Sequence, residues 1–454
     1  MTNVILSFDT EDIVNERGAD GILRCARILR EEGIRGCFNI IGLLPDVLKK
    51  WGRDDIFDEL KYHEIDFHSN KHSIHPTINE YTDVESYYEA LEKFLTDETE
   101  GMEKVKSAFS RERLPAACIP GNCTSYVAHY GYADAGFKFF SGDSIYDKVS
   151  YRPIYNCNVV SLHYARSLDG VLFRLNENSI PDFINETARG KDVMIFYHHP
   201  QRAYCKSFWD ADNFNATNTP KERWIKSEIH DNAETEYFYK NFRTFIRALR
   251  DDGEFEIITY GELEKKLVEN TRKIDLDTLK RIRPMLNESF FPITDPNSYC
   301  IADIFLACAT LICKDSPHVC GKVYGFLSTP YSVTKETRIT KEEAISLAKS
   351  IPRYEFLPPV FSINGKKIGP RDLLDAFLAF LLDGADSYMA KPNAPWQIDL
   401  DQFPSLRDLN YKASWINGKD LKDEFLSDRL RLQSWTIRLP KNSERFIFNQ
   451  KHGS

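Results

Sequence analysis

Several features that are typical of exported, membrane-bound or disulfide-stabilised proteins are missing from this chain of 454 residues. Its 10 cysteines include no C-x-x-C pair, and its start lacks the basic and apolar segments of a signal peptide. The longest apolar run, residues 301–313, contains Asp303 and is too short to span a bilayer. We therefore expect a cytoplasmic protein with reduced thiols and no transmembrane segment.

The charge balance and the missing glycine motifs exclude two further classes. Lys and Arg number 59 against 68 Asp and Glu, which gives a net charge of -9, whereas a nucleic-acid surface normally leaves a basic footprint. We expect no nucleic-acid partner. Neither G-x-x-x-x-G-K-[ST] nor G-x-G-x-x-G occurs, so the sequence gives no support for a nucleotide-phosphate or dinucleotide site.

Strand-like and helix-like segments alternate through the first part of the chain. The predicted strands are 4–8, 37–41, 64–67, 115–119, 137–141, 159–163, 193–198 and 255–259. The predicted helices are 21–32, 44–51, 83–109 with a break near Gly101, 124–135 with Thr124 as cap, 236–249 and 261–267. Repeated strand–helix units predict parallel strands, and seven or eight of them fit a closed α/β barrel. Functional residues should then follow the strand ends.

The pattern changes near residues 268–290, which predicts two domains, 1–270 and 271–454. The second is expected to be a mainly helical accessory domain, with similar apolar helices at 302–308 and 371–378. Its role and the oligomeric state are left open. Within the first domain, residues 201–233 form a long polar interruption with two tryptophans. A lid or substrate loop and a plain surface insertion are both compatible with it.

Two clusters of polar residues carry the chemistry. Asp9, Glu11 and Asp12 follow the first strand, and His68 and His72 follow the third. We expect the two histidines, four residues apart, to meet on one side of a helical turn, where a carboxylate could complete a three-ligand metal site. Three protein ligands leave a position for water, as in catalytic zinc sites. Taken singly, strand-end carboxylates are often helix caps and i,i+4 histidines are often surface residues. Their order and strand-end placement favour a metal-dependent hydrolase.

The order of these elements resembles a known family. An acidic strand end, then H-S-x-x-H at His68–His72, a Pro-Gly loop at 120–121 and a strand ending in His198-His199-Pro200 resemble the motif series of the NodB-like polysaccharide deacetylases, carbohydrate esterase family 4. The resemblance covers roughly residues 3 to 267. It implies a distorted (β/α) barrel and one divalent metal ion, with zinc as the first expectation and cobalt, nickel, iron or manganese as alternatives.

The resemblance also implies roles for individual residues. Asp9 matches the general base, and His199 matches the general acid, with His198 as a packing residue. His68 and His72 match the metal-binding histidines, and the acidic ligand is Glu11 or Asp12, which the spacing does not decide. The loop of Pro120, Gly121 and Asn122 matches the oxyanion and substrate loop.

The chain departs from the family pattern at two places. Cys118 stands where the family has an arginine that holds the base carboxylate, so Arg111, Arg113 or Arg202 would have to replace it. The family motif with Asp and Trp that orients the catalytic histidine has no clean match, which leaves Asp143 and Asp182 as weak candidates. A thiol nucleophile at Cys118 is an alternative without an evident paired base.

The expected function is removal of an N-acetyl group from an amino sugar in a glycan, glycolipid or sugar precursor. The absence of a signal peptide favours a substrate inside the cell. A hydrolase of non-sugar amides or formyl groups on the same fold is one alternative. A non-catalytic carbohydrate-binding relative is another, and the lost arginine favours it.

Overall fold

The computed structural model describes residues 1–121, 125–142, 153–162, 166–214, 219–267, 272–289, 298–314, 316–396, 416–418 and 421–439. The chain divides into two compact units. The first contains residues 1–153, 159–266 and 408–426, and the second contains 154–158, 267–407 and 427–454. Whether either part of the chain folds independently, as the predicted domains 1–270 and 271–454 would, stays a prediction.

The first unit is built on a parallel sheet. Its strands are β1 (Thr2–Thr10), β2 (Cys37–Ile40), β3 (Glu64–Phe67), β4 (Ala116–Cys118), β5 (Phe139–Ser141), β7 (Val159–Leu162), β8 (Arg166–Ser167), β9 (Val193–His198) and β10 (Phe255–Ile257). The spatial order is β7-β5-β4-β3-β2-β1-β9-β8. The predicted bounds 64–67 and 193–198 are confirmed, as is the parallel α/β architecture.

Strand β1 pairs with three neighbours. Residues Asn3 to Phe8 pair with β9, which occupies one edge of the strand. On the other edge Thr2 to Val4 pair with β10, and Ser7 to Thr10 pair with β2. The sheet is therefore a curled half-barrel with β1 at its centre, and among the described residues its two end strands do not pair with each other. The predicted closed barrel is wrong in this respect, because β10 adds to an edge of β1 instead of continuing the sheet beyond its end.

Helices and 3-10 turns connect these strands. The helices are α1 (Glu16–Glu31), α2 (Leu44–Lys50), α3 (Asp54–Leu60), α4 (Ile78–Thr82), α5 (Tyr87–Ala108), α6 (Tyr126–Asp134), α7 (Asp169–Leu172), α8 (Ile180–Ala188), α9 (Trp209–Asn213), α10 (Asn232–Asp251) and α11 (Tyr260–Lys266). The 3-10 turns are Pro200–Ala203 and Lys221–Arg223. None of the helices in the described ranges has the length and apolarity that crossing a membrane requires.

Side chains alternate between the two faces of each strand, and in this sheet the faces differ in polarity. One face is apolar: Phe8 and Phe38 stack with ring centroids 4.8 Å apart, and Phe8 also contacts Phe242 of α10. We call the other the polar face, defined in the three central strands by Ser7, Asp9, Cys37, Asn39, Glu64 and Asp66. All six of these residues are buried. A buried polar face requires internal hydrogen bonds or ligands, and it leads directly to the candidate site.

The helix α5 differs from its prediction. It runs without interruption through Gly101, where a break was expected. The glycine is explained by packing, because a methyl group there would lie 2.6 Å from Oδ1 of Asn70. Gly101 thus gives the His68–His72 segment a close approach to the helix. The predicted cap Thr124 lies outside the described residues, and α6 is described from Tyr126.

The second unit mixes helices with short antiparallel pairs. Its strands are β6 (Ile154–Asn156), β11 (Lys273–Ile274), β12 (His318–Val319), β13 (Thr337–Thr340), β14 (Phe361–Ile363), β15 (Lys366–Ile368) and β16 (Ser387–Ala390). Its helices are α12 (Leu276–Ser289), α13 (Ile301–Lys314), α14 (Lys341–Ala348), α15 (Pro370–Leu382) and α16 (Leu426–Leu432), with 3-10 turns at Ile351–Arg353 and Ser434–Thr436. The two predicted apolar helices are confirmed as α13 and α15, which meet through Phe305 and Phe377. This part of the chain was expected to be mainly helical, and the three two-stranded sheets among its described residues were not predicted.

Candidate metal centre and its acid–base groups

Three side chains from two strand ends converge. Glu11, His68 and His72 each offer a ligand atom, and these atoms lie within 4.8 Å of one another. Oε2 of Glu11 lies 2.7 Å from Nε2 of His72 and 3.3 Å from Nε2 of His68. All three side chains are at least 95% buried. Two imidazoles and a carboxylate are a donor set that suits zinc and neighbouring transition metals.

The histidines meet in a way that differs from the expected helical turn. The segment from His68 to Pro76 forms turns and bends, with φ of 63° at Ser69 and 54° at His72. These left-handed conformations are uncommon outside glycine, so the surroundings must hold the segment in place. Asn70 does part of this, since its backbone N–H donates to Glu98 at 3.0 Å and its amide donates to the carbonyl oxygen of Asp97.

The structure brings Glu11 to the histidines and gives Asp12 a different surrounding. Asp12 accepts hydrogen bonds from the backbone N–H groups of Val14 and Asn15, both at 2.8 Å, and from the side chain of Asn15. These contacts hold the turn that leads into α1. Burial raises the pKa of Asp12 to about 6, against the opposing effect of these hydrogen bonds.

Each histidine is oriented through its other ring nitrogen. Nδ1 of His68 lies 2.8 Å from the carbonyl oxygen of Cys118, which can only accept, so Nδ1 carries the proton and Nε2 faces Glu11. Nδ1 of His72 lies 3.0 Å from the hydroxyl of Ser73 and forms an ion pair with Oδ2 of Asp210 at 3.3 Å. Cys118 therefore contributes its backbone, while its thiol is buried and lies 3.8 Å from Oη of Tyr260.

Asp210 comes from the polar interruption at 201–233. In the described part of that segment, the fully buried Trp209 packs against Phe214 and Trp224. The pair Trp209 and Asp210 begins α9, so an aromatic anchor fixes the carboxylate beside His72. A plain surface insertion does not account for this arrangement. Sequence reasoning did not select Asp210, because the partner of a metal-binding histidine has no fixed spacing from it.

His199 is held by Asp169. Its Nδ1 lies 2.8 Å from Oδ2 of Asp169, and its backbone N–H donates to Oδ1 of the same residue. His198, on the apolar face, stacks on Phe238 and shares Oδ1 of Asp169 through its own Nδ1. The candidate Asp143 lies outside the described residues, and Asp182 is exposed on α8. Asp169 was missed because it follows the two-residue strand β8, which was not predicted.

Asp9 and His199 approach each other across the centre. Oδ2 of Asp9 lies 3.6 Å from Nε2 of His199, and Oδ1 accepts a hydrogen bond of 2.5 Å from Asn39. Nδ2 of Asn39 also lies 2.8 Å from the hydroxyl of Ser7. The arginines proposed as substitutes are used elsewhere: Arg111 donates to backbone carbonyls, Arg113 to Glu264, and Arg202 to the carbonyl oxygen of Cys205. An amide thus contacts the carboxylate that the sequence pattern assigned to an arginine.

The acidic and basic groups around the centre shift one another's pKa values. Burial opposes ionisation of Glu11, but the charges of His72 and His199 outweigh it and hold the pKa of this carboxyl well below its usual range. Burial would lower the pKa of His199, but Asp169 and Glu11 raise it to about 10. The pKa of His72 is raised to about 10 against burial by Glu11 and Asp210. The pocket therefore favours positive charge, either as protons or as a cation.

The expected oxyanion loop is described only in part. Pro120 and Gly121 follow β4, at the same edge of the sheet as Asp9 and His68, and Gly121 has a φ of 46° that favours glycine. Asn122 lies outside the described residues. Their roles stay predictions.

Helix α1 presses directly on the segment that follows His199. A methyl group on Gly21 would lie 2.1 Å from the carbonyl oxygen of Pro200. Gln201, in the same 3-10 turn, donates to Oε1 of Glu11 at 3.0 Å. The glycine in α1 thus permits a close packing that fixes both the acid–base histidine and the candidate metal-binding carboxylate.

No family model and no curated protein match this chain. Among solved structures, a 4-alpha-glucanotransferase from Thermococcus litoralis matches over 58% of this chain, which spans 40% of that protein, with 11% identity and a TM-score of 0.41. The peptidoglycan deacetylase PdaC from Bacillus subtilis matches over 63% of this chain and 96% of its own, with 14% identity and a TM-score of 0.30. The Xyl-CE4 domain of a multidomain xylanase from the hindgut metagenome of Trinervitermes trinervoides matches over 58% and 90%, with 10% identity and a TM-score of 0.31. At these values the likenesses assign neither a family nor an activity.

Proposed function

We propose that this protein is a metal-dependent hydrolase of the NodB-like type that removes an N-acetyl group from an amino sugar. The observation that carries the proposal is the convergence of Glu11, His68 and His72 beside an Asp9–His199 pair. The ligand set comes from the ends of β1 and β3 and the acid–base pair from the ends of β1 and β9, and Nε2 of His199 lies 3.6 Å from Asp9 and 3.9 Å from Glu11. Packing alone gives no reason for so many ionisable groups to be buried together.

Glu11, His68 and His72 would hold the cation, and Asp210 and the carbonyl oxygen of Cys118 would fix the two imidazoles. A divalent ion bound there supplies activation of water and polarisation of the acyl carbonyl. Zinc fits the nitrogen and oxygen donors, and cobalt, nickel, iron and manganese are alternatives.

Asp9 and His199 would divide the proton transfers. Asp9 takes a proton from the attacking water, and Asn39 holds its carboxylate in place. His199 carries a proton because Asp169 and Glu11 raise its pKa to about 10 against burial, so it can protonate the departing amine. The 3.6 Å between Nε2 and Oδ2 lets both groups reach one tetrahedral centre. The N–H of Gly121 is the proposed oxyanion donor.

Two aromatic side chains beside His199 support a sugar substrate. Phe208 lies edge-on to the imidazole at 4.8 Å between centroids, and Tyr197 lies at 5.9 Å. Both are half-buried, and the guanidinium of Arg202 lies over the ring of Phe208 at 4.8 Å, so the surface that a pyranose ring could cover is the remaining exposed part of Phe208 and Tyr197.

The test is acetate release by the zinc-loaded full-length protein from oligomers of N-acetylglucosamine, in parallel with small acetylated and formylated amides. Release from the sugars, reduced in His68→Ala, is the expected result. Release only from small amides would favour the alternative, a hydrolase of non-sugar amides or formyl groups. Binding of the oligomers without release from any substrate would contradict catalysis and favour a carbohydrate-binding protein.

A further inference from the structure

A second cluster of ligand-type side chains lies on the polar face, nearer the amino ends of the strands. Cys37, Glu64 and Asp66 each offer a ligand atom, and these atoms lie within 4.8 Å of one another. None of the three belongs to the Glu11–His68–His72 set. Cys37 and Asp66 are fully buried, and Glu64 is 8% exposed. We propose that these three residues form a second, thiolate-containing metal site, which takes zinc.

The sheet register fixes the cluster. Cys37 begins β2 and is paired directly with Glu64, the first residue of β3. Asp66 follows two residues later and so points to the same face as Glu64. All three ligands are therefore carried by two hydrogen-bonded strands, and the donors are preorganised by the backbone. In α/β barrels this end of the sheet serves stability, while chemistry takes place at the carboxyl ends of the strands.

The hydrogen bonds of the cluster leave one buried oxygen without a partner. Oδ1 of Asp66 accepts from the backbone N–H of Ala116 at 2.9 Å, whereas Oδ2 is buried without any hydrogen bond in the described residues. Both oxygens of Glu64 accept from the N–H of Gly261 at 3.0 Å. An orphaned carboxylate oxygen beside a thiol and a second carboxylate points to a missing positive ligand.

The chemistry of the donors selects the metal. The Cys37 thiol donates to Oε1 of Glu64 at 3.5 Å, and this proton is the one that a metal would displace to solvent. Burial, followed by the charge of Glu64, raises the pKa of the thiol well above its usual range, so a bare thiolate is disfavoured without a cation. Thiolate with carboxylates suits zinc, whereas magnesium and calcium prefer oxygen ligands alone. A thiolate and two carboxylates around a divalent ion leave one negative charge, and the positive charges of Arg111 and Arg113 act on this cluster to favour the ionised form of Asp66.

Cobalt separates this site from the proposed catalytic one, because only the second site contains sulfur. The chelated full-length protein is titrated with Co²⁺ alone, and near-ultraviolet thiolate-to-cobalt charge transfer is recorded together with bound metal per chain. Wild type should bind two ions and show the band. His68→Ala should bind one ion and keep the band. Cys37→Ser should bind one ion and lose it, and Cys25→Ser, a buried thiol on α1, serves as the matched control.

Zinc K-edge absorption of wild-type protein covers the case in which Cys37→Ser does not fold. A sulfur scatterer at about 2.3 Å is the expected result. Asp66→Asn keeps the acceptor for Ala116 and should weaken zinc at this site alone. A wild-type protein with no cobalt–sulfur band and no zinc–sulfur scatterer would overturn the proposal and leave a protonated carboxyl cluster. Failure of the catalytic proposal would appear separately, as unchanged metal content in His68→Ala.

Discussion

The carboxylate of Asp169 binds His199 twice, through Nδ1 at 2.8 Å and through the backbone N–H at 2.9 Å. The same carboxylate binds Nδ1 of the neighbouring His198 at 2.7 Å. One acidic side chain therefore sets the ring orientation and the proton affinity of the proposed general acid. Because His198 packs on the apolar face, Asp169 also ties this part of the site to the core.

Replacing Asp169 by Asn should shift the pH dependence of catalysis. Asp169 is the larger of the charges that raise the pKa of His199 to about 10 against burial, so the variant should have a lower pKa at this imidazole. A general acid acts in its protonated form, and the alkaline limb of kcat/KM should therefore move to lower pH. We expect kcat/KM to fall by about 10²–10⁴. An unmoved alkaline limb would show that His199 is not the acid. Asp182→Asn, on the surface of α8, is the control.

Variants of the proposed acid and base should lose activity without losing metal. Asp9→Asn and His199→Ala should each lower kcat by about 10²–10⁴ while zinc content stays near that of wild type. His68→Ala should lower zinc content and activity together. Activity is read by acetate release and zinc by elemental analysis, with His230→Ala outside the centre as control. Full activity in His68→Ala would rule out the proposed centre.

Asn39→Ala tests whether an amide has taken over the function assigned to an arginine. Loss of a hydrogen bond to a charged group costs about 1.5–3 kcal/mol, which corresponds to roughly a 10- to 100-fold loss in kcat/KM. The reason is that the carboxylate of Asp9 would lose the donor at Oδ1. Circular dichroism and thermal unfolding must show a folded variant. An Asn39→Ala protein with unchanged kcat/KM would mean that other contacts suffice to hold the base.

Glu98 gives a stability prediction that is independent of catalysis. Burial raises its pKa to about 7 against the hydrogen bonds from Tyr132 and Asn70. The folded protein then binds a proton that the unfolded chain, with a pKa of about 4.3, has already lost. Stability should therefore fall as pH rises from about 4 towards 7, by on the order of 3 kcal/mol. Urea unfolding across this range should show that Glu98→Gln lacks this component, and parallel pH curves for both proteins would contradict it.

The fold was predictable where the residue pattern is local. The strands β3 and β9 are short segments bounded by local sequence signals, the first directly before His68 and the second ending in His198, and both were located to the residue. The open form of the sheet was not predictable, because it depends on β10 pairing with an edge of β1 far away in sequence. Gly101 was predicted to break the helix. The structure instead explains the glycine by its close packing against Asn70, which a single sequence does not reveal.

Only part of the candidate site could likewise be predicted from local sequence patterns. His68 and His72 do lie together, but left-handed residues at Ser69 and His72 bring this about instead of the expected helical turn, so the four-residue spacing was not the reason. The spacing left Glu11 and Asp12 undecided, and hydrogen bonds to the turn before α1 separate them. Asp169, Asp210 and Asn39 were not selected, because each reaches the centre from a different segment and their sequence distances follow no rule.

The contact between Gly21 and the carbonyl oxygen of Pro200 limits how this pocket could be redesigned or could diverge. Any larger side chain at position 21 must displace either α1 or the turn that follows His199. We therefore expect the main loss to be in catalytic activity, through a misplaced His199, and not in folding. Engineering for other sugar rings should therefore begin at the half-buried Phe208 and leave α1 unchanged.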